Sequence, residues 1–154
     1  MAEYEFTTKK AIPGALNYEG VRIQIIDLPA LESEYIDYGI VNSAETLLII
    51  INKTEDIEAI SRFLEKAGGK RIIVFNKTDL LSDNEIRKIQ ARLSSKKYNF
   101  VLISTKTSQG IEELKERIFQ SFNVIRVYTQ EPGKSPSKEP IILSPGSTVR
   151  DVAE

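Results

Sequence analysis

Residues 76–79 read Asn76-Lys77-Thr78-Asp79 and follow directly on the apolar run Ile72-Ile73-Val74-Phe75. The types and their spacing fit the reading of a guanine ring; taken alone, they also fit a solvated loop entering a helix. Guanine offers two donors on one edge, N1–H and the exocyclic amine. An ionised Asp79 can accept both at once, and adenine cannot supply that pair. A two-pronged, charge-assisted contact carries most of the discrimination between bases. Asn76 would reach the other edge of the base, and the Lys77 stem would cover a ring face. A second Asn-Lys pair lies in "IIINKTED", residues 49–56, with Glu55 where the base-reading Asp should stand. Glu is one methylene longer and a helix starts at once, so this copy is read as a strand end and helix entry without base contact.

Three more stretches carry possible chemistry. Ser104-Thr105-Lys106 lies after the apolar run "FVLI" and before a helical pattern, with Ser104 twenty-five positions after Asp79. Taken alone, Ser-Thr ahead of a helix also serves as a cap. Asp27-Leu28-Pro29-Ala30 closes a strand pattern, and "YEFTT" ends at Thr8. A phosphate cradle of the form Gly-x-x-x-x-Gly-Lys-Ser/Thr, whose backbone N–H groups wrap phosphates, finds no match. Gly133-Lys134-Ser135 fails because position 128 is Tyr and Pro132 and Pro136 flank it. Gly69-Lys70 fails because Arg71 follows it and Leu64 stands five residues before Gly69.

The elements that must position these residues alternate along the chain. "ALNYEGVRIQIID" predicts a hairpin turning at Glu19-Gly20. "TLLIII" predicts a buried strand. Ile57, Ile60, Phe63 and Leu64 then recur at helical spacing, and Gly68-Gly69 is read as the helix end. "RIIVF" predicts a strand, "SDNEIRKIQARLSS" a helix capped by Ser82 or Asp83, "FVLIST" a strand, and "SQGIEELKERIFQSF" a helix. Strand-helix alternation of this kind implies an α/β fold with a mostly parallel sheet, which binds ligands at the carboxyl ends of its strands. Asp27, Asn76 and Ser104 all fall at or just past such ends. From Asn123 the texture changes to a strand, the loop "EPGKSPSKEP", another strand and a helix start. The expected division is therefore 1–122 and 123–154.

Composition narrows the classes. The chain has 154 residues, and its 21 Lys+Arg against 22 Asp+Glu give no basic excess for a nucleic-acid footprint. With no Cys and no His, disulfides, thiolate metal sites and His-based catalysis are excluded. No apolar run reaches the length of a membrane span, and the N-terminus has no apolar signal core, so a cytoplasmic protein without membrane contact is expected.

Read together, "YEFTT", "YEGVRIQIIDLP", "NKTDL", "ISTKTSQGIEELKERIF" and "IRVYTQEPG" resemble the developmentally regulated GTP-binding proteins, a branch of the Obg GTPases. The resemblance implies a three-layer, P-loop-GTPase-like fold with an antiparallel edge hairpin, here without the P-loop strand. It also implies that 123–154 begins a TGS domain, a ubiquitin-like β-grasp module. By the same resemblance Asn76, Lys77 and Asp79 match the base motif. Ser104, Thr105 and Lys106 match the last nucleotide motif, in which the Ser supports the specificity Asp and a backbone N–H meets the guanine oxygen. Asp27 to Ala30 match the Walker B turn, where the Asp holds Mg²⁺ through water and Ala30 replaces a Gly. Thr8 matches the switch Thr on Mg²⁺.

The implied ligands are GTP or GDP with Mg²⁺, and the implied role is a translation-linked switch. Without a cradle, this chain is expected to bind nucleotide through the base and to hydrolyse no GTP. The other reading is a protein- or ribosome-binding module on the same scaffold. The absent central strand raises a structural expectation. The strands ending at Asp27 and Asn52 should pair directly, or take a strand from another chain, since unpaired buried backbone is costly. Self-association is the related expectation.

Overall fold

The computed structural model describes residues 9–31 and 33–153; Thr8 lies outside them. Strands β1 (Ile12–Tyr18) and β2 (Val21–Asp27) form an antiparallel hairpin. Tyr18 faces Val21, leaving the two-residue turn Glu19-Gly20, and both turn residues have positive φ, 45° and 80°. That geometry matches the twist of the flanking strands. The central sheet is parallel, in the order β3 (Thr46–Ile51), β4 (Lys70–Phe75), β5 (Phe100–Leu102).

Alternation along β4 builds three layers, because successive side chains leave a strand on opposite faces. Ile73 and Phe75 join one core with Val41, Ile57 and Leu93, from helices α1 (Tyr38–Ser43), α2 (Asp56–Phe63) and α3 (Asp83–Ser95). Ile72 and Val74, both 0% exposed, join the other with Val101, Ile103, Ile118 of α4 (Ile111–Ser121) and Ile23 of the hairpin. The expected α/β, G-domain-like architecture is thus present. Beyond α4 come the antiparallel pair β6 (Ile125–Val127) and β7 (Ile141–Leu143), then α5 (Val149–Ala153). No helix among the described residues is long and apolar enough to cross a membrane.

Some local expectations needed correction. Helix α2 stops at Phe63, well before Gly68-Gly69. The Arg71 guanidinium donates to the Leu64 carbonyl at 2.6 Å and to that of Ala67 at 3.5 Å, satisfying carbonyls that a longer helix would have used. Gly69 serves a different purpose. A Cβ there would lie 2.4 Å from the Ala44 carbonyl oxygen, so its lack of a side chain lets two chain segments cross. The short helix α1, capped by Asp37 Oδ1 accepting from Gly39 N at 2.8 Å, was not apparent from the sequence pattern. β5 and β6 are each three residues, shorter than the patterns implied.

The expected direct pairing of β2 with β3 does not form. β1–β2 is a separate two-stranded sheet. Its apolar side chains, Ile23 with Leu16 and Val21, make its contact with the core, so the hairpin is seated by packing and has no ladder to the central sheet. A strand from another chain is the remaining alternative.

Two carboxylates are held charged by this framework. The Ser82 hydroxyl and then the Ser82 N–H, donating at 2.6 and 2.8 Å, hold Glu85 below the usual carboxylate range at the start of α3. Backbone bonding at Glu55, then the Thr54 hydroxyl and Arg92, do the same for Glu55. A carboxyl whose native pKa is lowered stabilises the fold fully above its unfolded pKa, and that contribution disappears as pH falls through the native value. Thermal stability should therefore fall on acidification through the carboxylate range, with a shallower slope in the Glu55→Gln/Glu85→Gln double variant. An identical slope in the double variant would contradict this assignment.

Candidate functional site

The site is built at the carboxyl ends of β4 and β5. β4 ends at Phe75 and Asn76 follows, its N–H still donating to Ile51 O at 2.8 Å. The chain then turns sharply: Lys77 sits in the left-handed region at φ 64°, and Thr78–Leu80 form a single 3₁₀ turn that carries Asp79. After β5 the chain runs through Ile103 to Ser104, which forms an isolated antiparallel bridge with Gln109.

Hydrogen bonds lash the two turns together. Ser104, 0% exposed, donates its hydroxyl to Asp79 Oδ1 at 2.6 Å. Thr107 N–H in turn donates to Ser104 Oγ at 3.2 Å, fixing the hydroxyl rotor. Asn76 Oδ1 accepts from Thr105 N–H at 3.2 Å and from Lys77 N–H at 2.8 Å. The buried Thr78 donates to the Ile103 carbonyl through both its backbone N–H, at 3.2 Å, and its hydroxyl, at 2.9 Å. No buried side-chain polar atom among the described residues lacks a partner.

This arrangement divides the roles within each side chain. With Asn76 Oδ1 bound to the loops, its amide nitrogen is the end that can face a base. With Ser104 on one oxygen of Asp79, the carboxylate keeps further lone pairs for a pair of donors. Thr105 N–H is engaged by Asn76. Lys77 and Lys106, both exposed, flank the turns. Thr78 is the residue that sequence reasoning passed over; its signal was a hydroxyl on a β-branched residue inside the motif. Gly110, at φ 74°, is another, because a Cβ there would lie 2.2 Å from the Leu102 carbonyl oxygen.

The second Asn-Lys copy stands beside the first, since Ile51 pairs in register with Phe75. Its acidic residue is committed elsewhere: Arg92 of α3 donates to Glu55 Oε1 at 2.7 Å and to Thr54 Oγ1 at 2.8 Å. Glu55 therefore ties the start of α2 to α3.

Asp27 belongs to the other sheet, at the last position of β2 and in register with Ile12. Ala30 lies in the turn that follows, its carbonyl accepting from Ser33 N–H at 2.8 Å. Among the described residues no group of three or more His, Cys, Asp or Glu is placed to hold a metal ion. Mg²⁺ commonly takes one or two carboxylates plus phosphate oxygens, so a single Asp27 fits an ion carried in on a nucleotide and does not fit an ion bound by protein alone.

Proteins similar to this chain include several GTP-binding proteins. Era, solved in complex with MgGDPNP and nucleotides 1506–1542 of 16S ribosomal RNA, superposes with a TM-score of 0.64 over 85% of this chain and 50% of its own, at 18% identity, which establishes a shared fold. A GTP-binding protein of Methanocaldococcus jannaschii is 24% identical over 233 aligned positions, covering 98% of this chain and 60% of its own length. The developmentally regulated GTP-binding protein 2 homolog of Dictyostelium discoideum is 25% identical over 229 positions, with 98% and 63% covered. The chain thus spans about three fifths of the length of these relatives. Both alignments are longer than the 154 residues present, so each relative carries segments inside the aligned span that this chain lacks. The sequence profile of the RsgA GTPases matches residues 31–127, well over half the chain and inclusive of both base-site turns, and the chain belongs to that GTPase family.

Proposed function

We propose that this chain is a guanine-nucleotide-binding module of the developmentally regulated branch of the Obg GTPases, with residues 1–122 as its partial G domain and 123–154 as the start of a TGS-like unit. The relatives matched over 98% of the chain, which include a developmentally regulated GTP-binding protein, support that branch. One observation carries the ligand: the Asp79 carboxylate is anchored by a fully buried Ser104 and the two turns are cross-tied, which supports a base-reading role for them.

Asp79 accepts from the guanine N1–H and amine, Asn76 donates from its amide to the far edge, and the Lys77 stem lies along the ring. Ser104, Thr105 and Lys106 form the wall of the same pocket. Asp27, Ala30 and Thr8 are assigned to the Mg²⁺ and phosphate side. Mg²⁺ neutralises phosphate charge when bound, and Asp27 would hold it through water. Since the 154 residues contain no cradle motif, GTP and GDP are held chiefly by the base and the chain turns over no GTP. The parent role is a translation-linked switch in the cytoplasm. A ribosomal or protein partner follows from that role.

Calorimetric titration with GDP and Mg²⁺, against ADP as control, tests the reading. Base contacts alone predict a dissociation constant of roughly 0.1 mM or weaker for GDP, and weaker still for ADP. Equal affinities would reject the base reader. Micromolar GDP binding would reject the base-only mode, because it requires a phosphate site.

A further inference from the structure

We propose that the C-terminal β6–β7 unit sets the position of the β1–β2 hairpin, and through it the Asp27–Ala30 turn, by a clasp centred on Arg126. The hairpin has no ladder to the central sheet, so side-chain packing and its contacts with other elements determine where it lies. Its turn is gripped from the C-terminal unit on two sides. Arg126, in β6, forms an ion pair with Glu19. The same guanidinium lies 4.7 Å from the Phe119 ring centroid on α4 and 6.0 Å from that of Tyr18, and the two rings are themselves 5.7 Å apart. One cation thus binds the last residue of β1, the hairpin turn and α4. On the other side, a Cβ at Gly20 would lie 2.7 Å from Pro140 Cδ and 3.2 Å from the Lys138 carbonyl oxygen, so the segment leading into β7 rests directly on the turn.

Geometry makes the clasp a control point. The hairpin strands are seven residues each, about 20 Å at the usual strand rise, with the clasp at one end and Asp27 at the other. A two-stranded unit that shares no ladder with its neighbours moves as one piece. Releasing Glu19-Gly20 therefore loosens Asp27–Ala30, and by linkage any ligand that orders the Asp27 end tightens the C-terminal unit. Arginine suits the position because its flat face stacks on rings while its edge pairs with a carboxylate, and lysine would keep only the charge.

Hydrogen exchange read by mass spectrometry on the full chain without nucleotide tests this coupling separately from guanine binding. In Arg126→Ala, amides of residues 21–31 should exchange faster by about fivefold, while those of β4 keep their wild-type rates. Should Arg126→Ala fail to fold, Glu19→Gln, which removes only the ion pair, is read the same way with a smaller change. Faster exchange confined to residues 123–153, with 21–31 unchanged, would overturn the proposal. So would a uniform rise that includes β4 in every variant.

Discussion

Asp79→Ala should abolish the preference for GDP over ADP. On the proposed reading the carboxylate accepts two donors from a single base edge, and Ser104 holds it by a hydroxyl donating at 2.6 Å. Removing it would delete both proposed base contacts and leave the Ser104 hydroxyl in a fully buried position without its acceptor. Loss of a two-pronged, charge-assisted contact weakens binding by roughly a hundredfold, which from a weak start means no measurable heat on titration with GDP. Asp79→Asn is the sharper variant, since it keeps the shape and swaps one acceptor for a donor that faces the guanine amine. It should lose GDP equally and regain affinity for xanthosine diphosphate, whose ring carries an oxygen where guanine has the amine. Ser104→Ala should lose less, because the carboxylate stays and only its positioning hydrogen bond goes. Retained guanine selectivity in Asp79→Ala would mean that the pocket reads the base by other residues.

Gly110→Ala should be the most damaging single-methyl addition near the site. Gly110 holds φ at 74°, and its hypothetical Cβ falls 2.2 Å from the Leu102 carbonyl oxygen and 3.2 Å from a side-chain carbon of Ile103. Left-handed backbone is strained for any residue with a Cβ, and here the obstacle is main chain, which cannot rotate away. The expected cost is about 3 kcal/mol, from strain plus displaced backbone, measured by chemical denaturation. The affected backbone runs straight into Ile103, which accepts both Thr78 bonds, and Ser104, which anchors Asp79. Guanine binding should therefore drop with stability. Gly133→Ala is the matched control: φ is 79° there too, but no atom lies within 4 Å of the added carbon, so only the conformational strain is felt. Equal costs at the two positions would show that the close approach to Leu102 contributes nothing.

Much of this site was legible because its signals are local. An apolar run ending in Asn76-Lys77-x-Asp79 fixes strand, turn and motif within a few residues, and the turn at Glu19-Gly20 and the cap at Ser82 announce themselves in the same way. What escaped depends on partners remote in the chain. The end of α2 is met by Arg71 reaching back to Leu64 and Ala67, and of the glycine pair that looked like a helix stop, Gly69 is needed for chain crossing instead. The pairing expected between β2 and β3 assumed that backbone groups would hold the hairpin, whereas side-chain contacts do, Ile23 in the α4 layer among them. Arg126 and Glu19 lie 107 positions apart, and no periodicity links them. Nor could spacing show that Glu55 is engaged by Arg92 while Asp79 is held by Ser104; one motif copy ties two helices and its neighbour ties two turns through the choice of partner.

The cross-tied turns also have a kinetic consequence. Asn76 to Thr105, Asp79 to Ser104 and Thr78 to Ile103 join the two turns to each other, so on the proposed reading a base would meet turns that are held independently of it. Association should then be a single step limited by encounter and orientation, and weak affinity should appear as brief residence rather than slow entry. Such a site would equilibrate quickly with the surrounding nucleotide pool and sample its guanine content from moment to moment.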